Sequence, residues 1–519
     1  MGQAVPLVPN YPIAYRHRPC TYVQQNPITN PRGEEVLKSA DGGLRAVPFP
    51  VDDPERIPAQ RYYDEKFYKL ELEHVWPHVW QMACRLEQIP EVGDWIEYQN
   101  VGKSVLIVNT GETGIKAYHN ACRHRGVPIA GAPKKDGVAG SAHGNCKSSG
   151  FVCPFHGWRF NMHGENIFVY GKQLFSERQL EHADINLIPC RVETAIGAAW
   201  INLDDDAPSL RDSIGPLIDR LEAHNVDKLR MEWCFATVLP ANWKLAMEAF
   251  MEGYHVMKTH PQLYQASGGI YDDRYGAETG PPDASKDVRM KTASQGVTLR
   301  QALDAQLLSM ELLSEGMAGM LHAKEVEIAR GLMDPEGLPE DLGQAIPMWY
   351  GMVADQITKQ LQARGEPVPN LCEVNVSHPV NAVEFLFPHY FLLPYFSSFS
   401  AYRIRPLGPE SCFFEIYSLT TFPEGEEPDP VMEPVVLPYD SPNFPPIPRQ
   451  DYSNIPINQV GLHAKGFEFM RLSKDIEGLI SNFQRLVDGY IAGVPAEKLA
   501  KANQMLGGNF DGVIKDLGF

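Results

Sequence analysis

The sequence predicts an α+β protein built from an all-β module followed by a larger module in which helices accompany an antiparallel sheet. Three observations predict it. Between Trp76 and Leu203, short runs such as "DWIEYQN", "SVLIVNT", "GIKAYHN" and "AAWINLD" alternate β-branched and aromatic residues between Gly, Asn and Asp breaks, the pattern of short strands. Beyond Arg230 a single strand-like run is followed by apolar residues recurring at three- and four-residue intervals, and strand-like runs return near 372–422. At 519 residues the chain also exceeds what one hydrophobic core usually serves.

Taken in order, residues 1–60 are rich in Pro and Arg without sustained periodicity and are expected to form an N-terminal arm. Residues 61–203 carry the β module, and 204–230 a linker with a short helix. Residues 231–519 form the second module. Within it "MEWCFATVLPANWKLAMEAFMEGYHVMKTH" reads as a strand leading into a helix, and 298–333 as one long helix. The runs "VNAVEFLFPHYFLLPYFSSFSAYRIRPL" and "SCFFEIYSLTTF" predict an antiparallel sheet. The Pro-dense, acidic stretch 423–450 predicts a surface loop, and the spacing of Ile476, Leu479, Ile480, Phe483 and Leu486 a C-terminal helix.

Composition excludes several classes. A net charge of −19 argues against nucleic acid, whose phosphates demand clustered Lys and Arg. No stretch approaches the about 18 apolar residues of a membrane span. The N-terminus lacks a signal pattern, and Pro6 spoils a myristoylation motif, so a cytoplasmic location is expected. Nine cysteines, an odd number thinly spread, do not suit a disulfide framework.

Two pairs of soft ligands stand out in the β module. "ACRHRG" supplies Cys122 and His124, and "CPFHGW" supplies Cys153 and His156. Two thiolates and two imidazoles suit tetrahedral zinc, or a two-iron cluster in which two histidines replace two cysteines on one iron. The short Cys-x-His spacing and the Gly- and Pro-punctuated loops favour the cluster. Paired in this way, the motifs resemble the Rieske [2Fe-2S] domain. That resemblance implies that Cys122 and Cys153 hold one iron and His124 and His156 the other. One departure is the 28-residue spacing from His124 to Cys153, longer than is usual for the family, which brings in His143 and Cys146 as decoys on an expected surface loop.

The stretch "MEAFMEGYHVMKTHPQ" gathers Glu248, Glu252, His255 and His260. Two histidines and a carboxylate with open positions form the facial triad of non-haem iron oxygenases. Glu252 and His255 share a helix face, whereas His255 and His260 point about 140° apart on a regular helix. They can meet at one metal only if the helix stops, and the proline after His260 disfavours helical geometry there. "NWKLAMEAFMEGYHVMKTH" resembles the catalytic-domain signature of Rieske non-haem iron oxygenases, the large subunits of aromatic-ring-hydroxylating dioxygenases. The resemblance implies a helix-grip catalytic domain with His255 and His260 on a mononuclear Fe(II). Glu252 stands at the position that links a catalytic histidine to a cluster histidine of the neighbouring subunit, where the family most often has Asp. For the third ligand the resemblance points to Asp475, with Glu477 the competitor. Glu248 is either a hydrogen-bonding neighbour of the metal or part of the helix surface, and Asn242 a cap.

The implied activity is a terminal oxygenase that uses O2 to hydroxylate an apolar, aromatic substrate, by cis-dihydroxylation or monooxygenation. Met247, Phe250, Met251 and the aromatic run 383–402 are candidates for its pocket or for plain core. The alternatives are a monooxygenase acting on a non-aromatic substrate, by hydroxylation or demethylation, and a protein that only carries electrons. No G-x-G-x-x-G follows a strand, so a separate NAD(P)H reductase, with or without a ferredoxin, is expected as donor. Arg123, Arg125, Lys134 and Lys135 offer it a basic patch. The family resemblance further implies a homotrimer, with or without small β-subunits.

Overall fold

A computed structural model describes residues 43–131, 142–260, 262–263, 297–317, 319–507 and 512–519. Most of the expected arm, including Pro6, therefore lies outside the described residues, as do Lys134 and Lys135. Val47–Phe519 forms one unit. The last residues of the expected arm belong to its core: β1 (Arg56–Pro58) pairs with a late strand, and Ile57 and Ala59 are fully buried, as is Tyr62 just beyond the arm. The helix α1 (Glu65–His74) follows, capped by Asp64, whose side chain accepts from the Phe67 amide.

The β module is a seven-stranded antiparallel sheet. Its strands are β2 (Gln81–Arg85), β3 (Asp94–Asn100), β4 (Lys103–Asn109), β5 (Ile115–His119), β6 (His143–Asn145), β10 (Pro189–Ala195) and β11 (Ala198–Asn202), in the order β2-β11-β10-β5-β4-β3-β6. A separate three-stranded sheet, β7 (Phe151–Val152), β8 (Arg159–Phe160) and β9 (Asn166–Phe168), projects the second Cys/His loop. The expected decoy loop is in part an edge strand: β6 pairs with β3, and Cys146 just after it is buried.

Two hairpin turns seat this module on the rest of the chain. Val101-Gly102 joins β3 to β4, and Ile196-Gly197 joins β10 to β11. Such two-residue turns need positive φ at both positions. Val101 and Ile196 accept it, at 44° and 48°, although for a side chain with a Cβ this region costs roughly 1–2 kcal/mol. Burial offsets that cost. Ile196 is 3% exposed in a core shared with the next helix, and Val101 packs against the core of the second module. Arg403 and Arg405 reach back to the carbonyls of Ala83 and Gln99. Both arginines flank buried Glu415; burial alone would raise its pKa, but the two cations outweigh it and bring it down to about 2.

The expected linker contains a substantial helix, α2 (Leu210–Ala223), kinked at Ile214 two residues before Pro216. It buries Leu210, Leu217 and Leu221 against the β module and the second sheet. Each such side chain contributes about 1.5–3 kcal/mol. The second sheet comprises β12 (Arg230–Leu239), β13 (Glu384–Leu386), β14 (Tyr390–Pro394), β15 (Phe399–Gly408), β16 (Ser411–Thr420) and β17 (Val435–Val436), in the order β13-β14-β15-β16-β12-β17. It is antiparallel except for β12 with β17. The short helices α3 (Trp243–Glu248) and α4 (Val256–Thr259) follow β12.

The long helix expected over 298–333 is two helices, α5 (Leu299–Gly316) and α6 (Ala323–Arg330). Between them Gly319 takes φ +86° with its backbone so close to Ser418 that a Cβ would clash at 2.2 Å, so the turn is forced by packing on β16. Next comes α7 (Leu342–Ala363). The expected loop 423–450 is not all loop. It contributes β17 and the start of α8 (Pro446–Gly461), which accepts Pro in its first turn because amides there have no intrahelical partner. The chain ends with β18 (Phe469–Arg471), which pairs with β1, and the helices α9 (Gly478–Ala492) and α10 (Ala496–Leu506). The core beneath α3, α8 and α9 is continuous with the inner face of the second sheet. Among the described residues, no helix is long and apolar enough to cross a membrane, and the eight described cysteines are free thiols.

Candidate metal centres

The two Cys/His loops share one construction. The amide of Gly126 donates to the carbonyl of Cys122 at 2.8 Å, and that of Gly157 to Cys153 at 3.0 Å; both glycines have positive φ, 75° and 70°. Each loop closes as a tight turn around its cysteine. Cys122 and Cys153 are both buried at 3% exposure, and their thiols lie within hydrogen-bonding reach of each other. Burial pushes the Cys122 thiol up to about 11. The His124 and His156 rings stand 4.6 Å apart, and Trp158 stacks on His124 at 5.1 Å, nearly parallel. Burial, and then the charges of His156 and Arg125, lower the His124 pKa and favour the neutral imidazole that a metal requires. His124 Nδ1 is buried without a hydrogen-bond partner among the described residues. Paired thiols beside paired imidazoles, one with an orphaned ring nitrogen, fit a two-iron cluster with two ligand types.

The second centre is assembled from separate helices. Asn242 caps α3 by accepting from the Lys244 amide, and its own amide donates to Gln459 of α8 at 2.9 Å. Lys244 and Trp243 converge on Glu71 of α1, a fully buried ion pair with Nζ–Oε1 2.5 Å. At the end of α3, buried Glu248 accepts from the Tyr62 hydroxyl at 2.8 Å and from the Gln484 amide. Burial raises its pKa to about 7, even though its hydrogen bonds and Lys244 and Arg61 oppose the shift. Glu248 therefore ties α3 to the N-terminal segment and to α9, and it does not join the histidine cluster.

The helix expected to run through Glu252 and His255 is interrupted. It stops at Glu248 and restarts at His255, the N-cap of α4. Gly253, costly in a helix, lies in the gap. Glu252 thus approaches His255 across a turn: its carboxylate accepts from the His255 amide at 3.0 Å and from Nδ1 at 2.7 Å. Burial works against a charged His255, but the bond to Glu252 and the field of Asp451 prevail, and its pKa is raised. His260 ends α4 with φ −117° and ψ 65°, outside helical geometry, as the residue before a proline is expected to be. Its ring turns back toward His255, with centroids 5.3 Å apart.

The carboxylate that meets them is Asp451, and this corrects the expectation for Asp475. His255 Nε2 lies 3.6 Å and His260 Nε2 3.2 Å from Asp451 Oδ1, and the three donor atoms fall within 4.8 Å of one another. Asp451 is 2% exposed on α8, and neither of its carboxylate oxygens has a hydrogen-bond partner among the described residues. A buried, unsatisfied carboxylate is costly unless a cation balances it, so this donor set fits a divalent metal. Asp475 instead occupies an exposed turn before α9. Glu477 faces Glu252 across a cavity of about 210 Å³, and its carboxylate accepts the Ser473 amide at 2.6 Å. Phe250, Met247 and Met251 are core residues. Aromatic core rings lie beside this donor set: Tyr452, next to Asp451, packs at 5.1 Å against both Phe414 and Phe444, and Phe250 at 5.0 Å against Tyr402.

Asp451 escaped the sequence reading because it directly follows the Pro-dense stretch taken for a surface loop. The usable signal was the helical continuation "RQDYSNIPINQV" after that stretch.

Comparison with known proteins agrees with this architecture. Residues 79–169 match the Rieske [2Fe-2S] domain, and 218–311 the ring hydroxylating alpha subunit catalytic domain. The carnitine monooxygenase oxygenase subunit of Escherichia coli K12 is 28% identical over 221 residues, 42% of this chain and 55% of that protein. The glycine betaine monooxygenase oxygenase subunit of Chromohalobacter salexigens is 30% identical over 46% of this chain and 49% of its own length. The benzene 1,2-dioxygenase alpha subunit of Pseudomonas putida is 30% identical over 46% of this chain and 52% of its own. The match thus spans about half the length of each curated relative. Among solved structures, a quaternary ammonium Rieske monooxygenase superposes with TM-score 0.53 at 16% identity, covering 86% of this chain and 99% of that one. The naphthalene 1,2-dioxygenase of a Rhodococcus species gives TM-score 0.54 at 19% identity, with coverages of 86% and 96%. At such identities these two establish the fold alone.

Proposed function

Since this chain belongs with the Rieske oxygenase alpha subunits, pairing a Rieske [2Fe-2S] domain with a ring-hydroxylating catalytic domain, we propose that it is the terminal oxygenase of an electron-fed hydroxylating system. The observation that carries this is the convergence of His255, His260 and Asp451 on one buried point, in a chain that also presents the Cys122, His124, Cys153 and His156 loops. We assign 61–203 to the cluster domain and 231–519 to the iron domain, with Cys122 and Cys153 on one cluster iron and His124 and His156 on the other.

Mononuclear Fe(II), held by His255, His260 and Asp451, supplies the O2 chemistry. The protein's own groups prepare that site. Glu252 holds the Nδ1 proton of His255 and leaves Nε2 free to ligate. The same carboxylate lines the cavity that opens beside His255, where a cluster histidine of a neighbouring subunit is to hydrogen-bond to it. Exposed Phe155, packed against His156 with the Arg125 guanidinium over its ring, forms the surface offered to that acid-lined cavity in a head-to-tail homotrimer. Electrons enter from a reductase or ferredoxin.

An apolar, aromatic substrate is the first reading, supported by the benzene 1,2-dioxygenase relative; the aromatic rings behind the donor set are buried core and do not line the cavity beside His255. A quaternary ammonium substrate is the second reading. Two of the relatives are named for carnitine and glycine betaine, and the cavity beside His255 is lined by the carboxyl groups of Glu252 and Glu477, which suit a cationic headgroup. The test is iron analysis and O2-dependent turnover of the purified protein with a reductase system, offered benzene-type rings and trimethylammonium compounds in parallel. Expected are two spectroscopically distinct kinds of iron, with His255→Ala removing the non-cluster iron and all product formation. A chain holding only cluster iron, indifferent to His255→Ala, would be an electron carrier and not an oxygenase.

A further inference from the structure

The two histidines of the iron site are held by different chemistry. His255 Nδ1 meets the carboxylate of Glu252, whereas His260 Nδ1 meets an amide, Gln450 Oε1, at 2.8 Å. Gln450 is itself held. Gln262 Nε2 donates to the same Oε1 at 2.9 Å, and Gln450 Nε2 donates back to Gln262 Oε1 at 3.0 Å, a reciprocal amide pair. Gln450 and Asp451 are consecutive on α8, so their side chains diverge by about 100°. They grip opposite edges of one imidazole, Gln450 at Nδ1 and Asp451 toward Nε2 at 3.2 Å.

We propose that Gln450, keyed by Gln262, is the positioning residue that fixes the tautomer and ring orientation of His260. This role rests on the iron-site reading above and extends it. If the amide pair flipped, Gln450 would present NH2 to Nδ1, which would then have to accept. The imidazole proton would move to Nε2 and block ligation. With the carbonyl turned toward the ring, Nδ1 keeps the proton and the Nε2 lone pair faces Asp451. A neutral acceptor here, opposite the anionic Glu252 on His255, makes the two imidazoles unequal donors to one metal.

The test uses the full-length protein with its cluster oxidised, and so diamagnetic, and its mononuclear site emptied by a mild chelator. Co(II) alone is then titrated by calorimetry and electron paramagnetic resonance. Gln450→Leu is expected to weaken Co(II) binding about 10–100-fold and to change the Co(II) spectrum. Gln450→Glu, which retains an acceptor, recovers the affinity, and Gln262→Leu falls between. Wild-type affinity and spectrum in Gln450→Leu overturn the proposal. Should that variant lose its cluster absorption and fail to fold, Gln262→Leu decides, and unchanged binding there overturns it equally. Failure of the wild-type protein to bind Co(II), or binding that survives His255→Ala, would instead sink the iron-site reading itself.

Discussion

The Cys/His loops and the proposed iron site both present two histidines, yet they are built by opposite strategies. Each cluster loop is local: a cysteine, a histidine and a glycine within five residues, closed by two backbone hydrogen bonds, one from the glycine amide to the cysteine carbonyl and one from the cysteine amide to the carbonyl of Val127 or Trp158. The iron site is assembled at long range. His255 and His260 come from one short helix, and Asp451 from another nearly two hundred residues later. A local site survives changes elsewhere in the fold, whereas an assembled one depends on every contact that sets its helices in place.

The largest test of that contrast is Cys153→Ser. It is expected to abolish the visible absorption of the cluster while far-ultraviolet circular dichroism and Co(II) binding at the second site persist. Asp451→Ala should do the reverse, leaving the cluster spectrum intact while metal analysis finds cluster iron only. Asp475→Ala is its control and should retain both kinds of iron; loss of iron there would restore the expectation this structure overturns. Glu252→Gln tests the proposed link between the two centres. Both metals should stay bound, and single-turnover reoxidation of the reduced cluster should slow about 10–100-fold. An unchanged rate would remove Glu252 from the electron path.

The smallest effect concerns how the iron site is anchored. Glu248 carries a pKa raised from 4.5 to about 7 by burial. The folded state then binds this proton more tightly than the unfolded chain, so stability falls as pH rises through that window. The loss is on the order of 3 kcal/mol if this group acts alone. Glu248→Gln should flatten the decline in unfolding midpoint between pH 5 and 7. A variant with the wild-type slope would show that other groups set it.

What was legible in the sequence follows the same division. Residues 94–100 read as a strand and form β3 to the residue, because alternation and turn glycines are local signals. Cys122, His124, Cys153 and His156 stand out in the sequence by residue type, paired spacing and loop context, and the structure brings the thiols together and the imidazoles together. The convergence of His255 and His260 is also legible, since the following proline explains how a stopped helix lets the two rings meet. Asp475 was not the residue brought to them, because a carboxylate before a helix looks alike whether it faces solvent or metal. Asp451 was passed over because its meaning depends on how α8 crosses α4, a tertiary fact. The break at Gly319 was equally invisible, set by a contact with Ser418 on a distant strand.

Val101 and Ile196, the two β-branched residues bent into left-handed turns, bear on attempts to exchange modules between relatives. A chimera that grafts a foreign cluster domain onto this catalytic scaffold keeps the cluster loops whatever its turns contain, but its seating is decided at these two side chains. With Asn-Gly in both turns the graft would be less strained by itself and worse docked. Its cluster would form, yet sit at an angle this scaffold was not shaped to receive.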